Sequence, residues 1–192
     1  MSYTAIKIYQ KFFKKGLTFR GMHDIIMIES KEDKPNGQEV KNMNIISAQV
    51  EVLKEALKNK GVKNPVIYGV LDGKAIIGNG YRLYIIPKNE CGVDLTSIDS
   101  TNVKIMNQST LKGFINDAKC TSVILTGLKK VVDNKTLRVF VNGNENIYVD
   151  ESLLKYFDLK KSTFKGRNRK SPIYIYEDYN IVGVVIPFFV KE

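Results

Sequence analysis

The chain has 192 residues, of which 43% are hydrophobic and 26% charged, a composition that excludes a disordered tail and a collagen-like repeat and leaves enough chain to bury a core. Lys and Arg number 30 against 20 Asp and Glu, so the formal charge of +10 makes an anionic partner, nucleic acid first, the one to consider. Arg20, Arg82, Arg138, Arg167 and Arg169 are the only arginines; the abundance of Lys, Asn and Ile is what an AT-rich coding sequence supplies, so charge alone assigns no nucleic-acid contact.

No apolar run approaches the roughly 20 residues of a membrane helix, and the longest, 182–190, contains Pro187. The N-terminus lacks the apolar stretch and cleavage site of a signal peptide. Cys91 and Cys120 show no CxxC or Cys/His spacing and His23 is the one histidine, which argues against a zinc site and for reduced thiols in a cytoplasmic compartment. No metal, cofactor or membrane partner is expected.

Along the chain, residues 6–28 alternate loosely. Residues 23–28 read as a strand, with Gly16 and Gly21 at turns or bulges, and 31–42 as a polar loop around Pro35-Asn36-Gly37. A first unit follows: a strand at 43–46, Ser47 as N-cap, a helix presenting Val50, Leu53, Ala56 and Leu57, and Gly61 as its stop. Strands at 65–71 and 74–86 meet at Asp72-Gly73, a hairpin signal. A second unit repeats the order, with a strand at 103–106 and Ser109 capping a helix that carries Leu111, Phe114, Ile115 and Ala118. Its strands at 122–132 and 136–141 join at Asp133-Asn134-Lys135. In a third, a strand at 146–149 leads to Asp150, which caps a short helix with Leu153, Leu154 and Phe157. A basic loop then precedes strands at 173–176 and 181–190, hinged at 177–180. The order strand–helix–strand–strand thus recurs at a period of about 45 residues. Each helix has too few strands of its own, so the physical solution is an α+β fold with merged sheets and helices packed on one common face.

This repeat resembles the DNA sliding clamps, whose domains are pairs of such units, with helices lining a ring and antiparallel sheets forming its wall. Asn79-Gly80-Tyr81-Arg82-Leu83 is similar to the Asp-Gly-His-Arg-Leu segment of bacterial clamps. Val184-Val185-Ile186-Pro187-Phe188 is similar to the Val-Val-Met-Pro-Met strand near their C-terminus, with Phe189 where an Arg usually follows. The resemblance covers most of the chain and implies a short, divergent member of phage or mobile-element type. It implies clamp-like domains at 1–95 and 96–192, a trimer if six domains close a ring, and sequence-independent DNA binding by a processivity or scaffolding factor. It also implies recruitment of a polymerase or other replication proteins through short peptide motifs. The groove for such peptides carries over to Gly80, Tyr81, Arg82, Leu83, Val185, Ile186, Pro187 and Phe188. The chain is shorter than a three-domain bacterial protomer, and its two motifs lie closer together in sequence than in that family.

The densest basic stretch, 160–170, holds Lys160, Lys161, Lys165, Arg167, Arg169 and Lys170 with no acid among them, a pattern suited to phosphates or to solvation. Lys54 and Lys58 share one helix face, Lys112 and Lys119 another, and Lys155 sits on the third helix. In a ring these would meet the DNA backbone, although Glu51 and Glu55 equally suit a salt-bridged surface. Tyr174, Tyr176 and Tyr179 follow the basic loop and suit base stacking or sheet packing. For catalysis, the best fragment is Asp24 with Glu29-Ser30-Lys31, a weak metal-nuclease pattern, and no GxxxxGK[ST] loop is present. The expectation is a non-enzymatic protein. The alternative that stays open is a small phage or mobile-element protein that binds and inhibits a host protein.

Overall fold

Turn chemistry sets the local strand order. At Asp72-Gly73, Asp133-Asn134 and Asp178-Tyr179 both residues have positive φ, from 47° to 73°. Such turns join antiparallel strands without splaying their right-handed twist.

The computed structural model describes residues 43–58, 65–98 and 100–190, which fall in one compact unit, Lys41–Glu192. The strand expected at 23–28, the loop at 31–42, the Asp24 and Glu29 carboxylates, His23 and Gly61 lie outside the described residues. In chain order the elements are α1 (Ile45–Lys58), β1 (Val66–Leu71), β2 (Lys74–Gly78), β3 (Arg82–Pro87), β4 (Val103–Ile105) and α2 (Gln108–Phe114). These are followed by β5 (Thr121–Val132), β6 (Lys135–Asn142), β7 (Glu145–Asp150), a 3-10 turn (Glu151–Leu154), β8 (Thr163–Gly166), β9 (Ile173–Glu177) and β10 (Asn180–Val185). The strands form one sheet in the order β4-β1-β2-β3-β10-β9-β8-β5-β6-β7. Among the described strands only β4 runs parallel to its neighbour, β1. The fold is α+β with a mixed sheet. A division at residue 95 falls in the connection from β3 to β4, and the sheet runs continuously across it because β3 pairs with β10.

The two α-helices among the described residues lie on opposite faces of the sheet, not on the common face the repeat predicts. Strand side chains alternate. Val66, Tyr68, Ile77, Tyr84 and Ile86 point one way, onto Ala48, Val52 and Ala56 of α1. Ile67, Ile76, Leu83 and Ile85 point the other way, onto Leu111 of α2. Gly69 is on that second face, where a Cβ would stand 2.6 Å from Leu111 Cδ1. The physical reason lies in the β3–β4 connection. Leu95 is fully buried in the α1 core, Gln49 Nε2 donates to Glu90 O at 3.1 Å, and Gly92 N donates to Gln49 Oε1 at 2.7 Å. This loop completes the α1 cover, so the helix after β4 takes the bare side. Burial on both faces also explains the nearly unbroken apolar runs of β1 and β3.

The three units differ more than their sequence order implies. No strand occupies 43–46: α1 begins at Ile45, and Asn44 Oδ1 accepts Ser47 N at 3.0 Å, so Asn44 takes the capping role expected of Ser47. The strand expected at 74–86 is two strands, broken at Asn79-Gly80-Tyr81, where Asn79 Oδ1 accepts the amides of Tyr81 and Arg82 at 2.9 and 3.1 Å. In the second unit Asn107, not Ser109, caps α2, accepting Thr110 N at 2.8 Å. That helix stops at Phe114, after Gly113, so Ala118 and Lys119 lie beyond it. In the third, Asp150 does cap, through Ser152 N at 3.0 Å, but a single 3-10 turn. The basic loop contains β8, which joins β5 to β9.

Beyond β10 the chain crosses to the far edge of the sheet. Ile186 N bonds Tyr81 O, just before β3, at 2.9 Å, whereas Phe188 N bonds β7 through Tyr148 O at 2.7 Å. The strands from β10 round to β7 therefore curl back on this tail, enclosing Phe140, Ile147, Val149, Phe164, Ile173 and Ile175.

Candidate functional site

The two short segments that carry the clamp resemblance meet. Val184 faces Leu83 and Val185 faces Arg82 in the β10–β3 pairing, and Ile186 continues it onto Tyr81. The turn at Asn79 exposes Gly80 and lifts Tyr81 clear of the sheet, 53% exposed, beside Ile186, 37% exposed. Pro187 and Phe188 are half-buried and Lys135 Nζ lies 5.1 Å from the Phe188 ring centre. These four side chains are the accessible part of the predicted groove. Leu83 and Val185 are core residues of opposite faces of the sheet and do not line one groove together.

Arg82 is different: it is 4% exposed and turned onto α1. Its Nη2 ion-pairs with Glu51 and, at 2.7 Å, with Glu55, and its Nη1 donates to Ser152 O at 3.4 Å. Tyr156 OH donates to the other oxygen of Glu51, and Asn79 Nδ2 donates to Glu55 Oε2 at 2.9 Å. Burial works to raise the pKa of Glu51. The hydrogen bonds from Tyr156 and Arg82 outweigh it and hold the carboxyl below its usual range. Burial also pushes the Tyr84 phenol well up, with the Arg82 guanidinium 5.5 Å from its ring centre. Arg82 therefore ties α1 and the 3-10 turn to the base of the junction and does not face a ligand. The signal for this was present: Glu51 and Glu55 are four apart on a helix and share a face.

The expected DNA-contact lysines do not share a surface. Lys54, half-buried, and Lys58, exposed, belong to α1, whereas Lys112 is exposed on α2 across the sheet. Lys119 is exposed past the end of α2, and Lys155 is exposed with its amine 4.9 Å from the Tyr156 ring centre. Within the basic stretch Lys160, Lys161, Arg167 and Lys170 are exposed. Lys165 donates to Asp117 Oδ2 at 2.8 Å, and Arg169 Nε stands 3.7 Å from Glu145 Oε1.

Two of the three tyrosines after that stretch are turned inward and cannot stack on a ligand. Tyr174 and Tyr176 are buried in the α2-side core. Tyr174 OH donates to Asn116 O at 2.7 Å, and Tyr176 OH donates to Asp117. Burial first, and then this bond to a carboxylate, push the Tyr176 phenol up to about 12. The same two donors, Lys165 foremost, hold Asp117 below the usual range. Tyr179 is fully exposed at its hairpin turn.

Among the described residues no three His, Cys, Asp or Glu side chains group as metal ligands, and no helix is long and apolar enough to cross a membrane. No family model, curated protein or solved structure matches the chain.

Proposed function

We propose that this protein is a non-enzymatic, clamp-like scaffold of DNA replication that associates with DNA without reading sequence and docks client proteins at the junction of β3 and β10. The observation that carries the reading is that junction. Two segments far apart in the chain, each similar to a segment bordering the client groove of sliding clamps, become paired neighbours, and the pairing leaves Tyr81, Ile186, Pro187 and Phe188 accessible. An exposed aromatic with apolar neighbours on a rigid backbone suits an extended peptide with apolar anchors. The exposed Lys160, Lys161, Arg167 and Lys170 of the basic stretch suit contact with phosphates, which reads no sequence.

The test is the mass in solution, with and without a DNA duplex, at low salt. Assembly beyond a monomer, and duplex binding that weakens as salt rises, support the scaffold. A strict monomer with no affinity for duplex overturns it and leaves the host-protein-binding alternative.

A further inference from the structure

We infer that Phe189, with Arg167, Arg169 and Lys170, forms a contact for single-stranded DNA, an inference that rests on the DNA-associated reading above and specifies its ligand. Phe189 is 50% exposed. The Arg169 guanidinium carbon lies 5.7 Å from its ring centre and Lys170 Nζ lies 5.8 Å from it. The chain is anchored on both sides of Phe189, by the Phe188 amide on Tyr148 O and by the buried Val190. The loop bearing the cations is also shaped: Asn168 Oδ1 accepts Lys170 N at 2.9 Å and Ser171 Oγ at 3.0 Å, and Asn142 Nδ2 donates to Arg167 O at 2.9 Å. Glu145 is the carboxylate at this rim, set against Arg169.

A half-open aromatic ring with two cations close to it does two things together. Its face stacks on a base, and the cations meet the phosphates on either side. A duplex keeps its bases stacked inside and offers such a ring nothing that the phosphates do not. A single strand offers an unpaired base. Of the aromatics that follow the basic stretch in sequence, Tyr174 and Tyr176 are unsuited, since both are buried with their hydroxyls engaged, and Tyr179 is exposed at the β9–β10 turn. The tertiary structure instead brings Phe189 from the chain's last strand region to the same loop.

The experiment is fluorescence anisotropy at low salt with three probes: an oligothymidylate of about 20 nucleotides, an abasic strand of equal length, and a duplex. Phe189→Ala is expected to weaken the oligothymidylate about tenfold and to change the abasic strand and the duplex by less than about twofold. Phe189→Trp should restore binding. Joint replacement of Arg167, Arg169 and Lys170 by Ala should weaken all three probes. Phe189→Leu keeps apolar bulk and removes the ring; parental binding of oligothymidylate by that variant overturns the inference. So does an equal loss on the abasic strand, or an unchanged oligothymidylate affinity in Phe189→Ala while the duplex still binds, and the scaffold reading then stands without it. Failure of the parent to bind any probe removes both.

Discussion

Ile186 donates its backbone N–H to the carbonyl of Tyr81 at 2.9 Å, extending the pairing of β10 with β3 past the end of the strand. The backbone of the junction is thus fixed while both side chains remain accessible. Joint Tyr81→Ser and Ile186→Ser replacement is expected to leave stability within about 1 kcal/mol, because exposed positions contribute little. The same variant should lose stimulation of primer extension by the polymerase of its own replication system. Thermal unfolding and product length on a primed template measure the two effects separately.

Gly183 faces Tyr84 across the β10–β3 pair, and a Cβ there would run into the Phe157 ring. That ring packs 5.3 Å from the Tyr84 ring, centre to centre. Gly183→Ala should therefore destabilise by about 1–3 kcal/mol, the cost of overpacking. Adding Phe157→Leu should recover part of the loss, since the two sites share one space and are not additive. Denaturant midpoints for the two single variants and the double variant settle this.

The Arg82 cluster gives a pH signature. Glu51 titrates below its ordinary 4.5 in the folded chain. The unfolded chain binds the proton more readily. The stabilisation is therefore complete above that value and lost as pH falls through the folded pKa. Glu51→Gln should differ most from the parent near neutrality, and the difference should shrink below about pH 4.5. Arg82→Met leaves two carboxylates without their cation. Because Glu51 and Glu55 are 29% and 28% exposed, water screens part of the penalty. The expected loss is about 2 kcal/mol at pH 7, smaller in acid as the carboxylates protonate. Urea unfolding across pH 3–7 reads both variants.

Tyr179 holds φ at 64° in the β9–β10 turn with its ring in solvent. The left-handed conformation costs a side chain about 1–2 kcal/mol, and glycine gives back part of that through its greater unfolded freedom. Tyr179→Gly is expected to raise stability by about 0.5–1 kcal/mol. An unchanged or lowered midpoint would show that the ring has a partner that outweighs its turn strain.

Local chemistry was legible in the chain and long-range pairing was not. Asp72-Gly73, Asp133-Asn134 and Asp178-Tyr179 announce hairpins because positive φ depends on the turn residues themselves. Asp150 announces a cap for the same reason, its carboxylate needing only the amide of Ser152. Asn79-Gly80 carried an equally local turn signal, obscured by the apolar residues on both sides of it. By contrast, α2 has an apolar stripe that fits either face of a sheet, and only the loop across α1 leaves one face free.

The sequence by itself determined the α+β class, most of the strands and a chain rich in lysine, because side-chain period and turn chemistry act over a few residues. The tertiary structure decided what those residues do. It joined residues 81–83 to 184–186 and turned Arg82 inward onto two glutamates. It also buried Tyr174 and Tyr176 and set Phe189 beside Arg169 and Lys170. Each of these depends on which distant strands pair and on which face is already covered. Those are properties of the whole sheet, and no window of the sequence contains them.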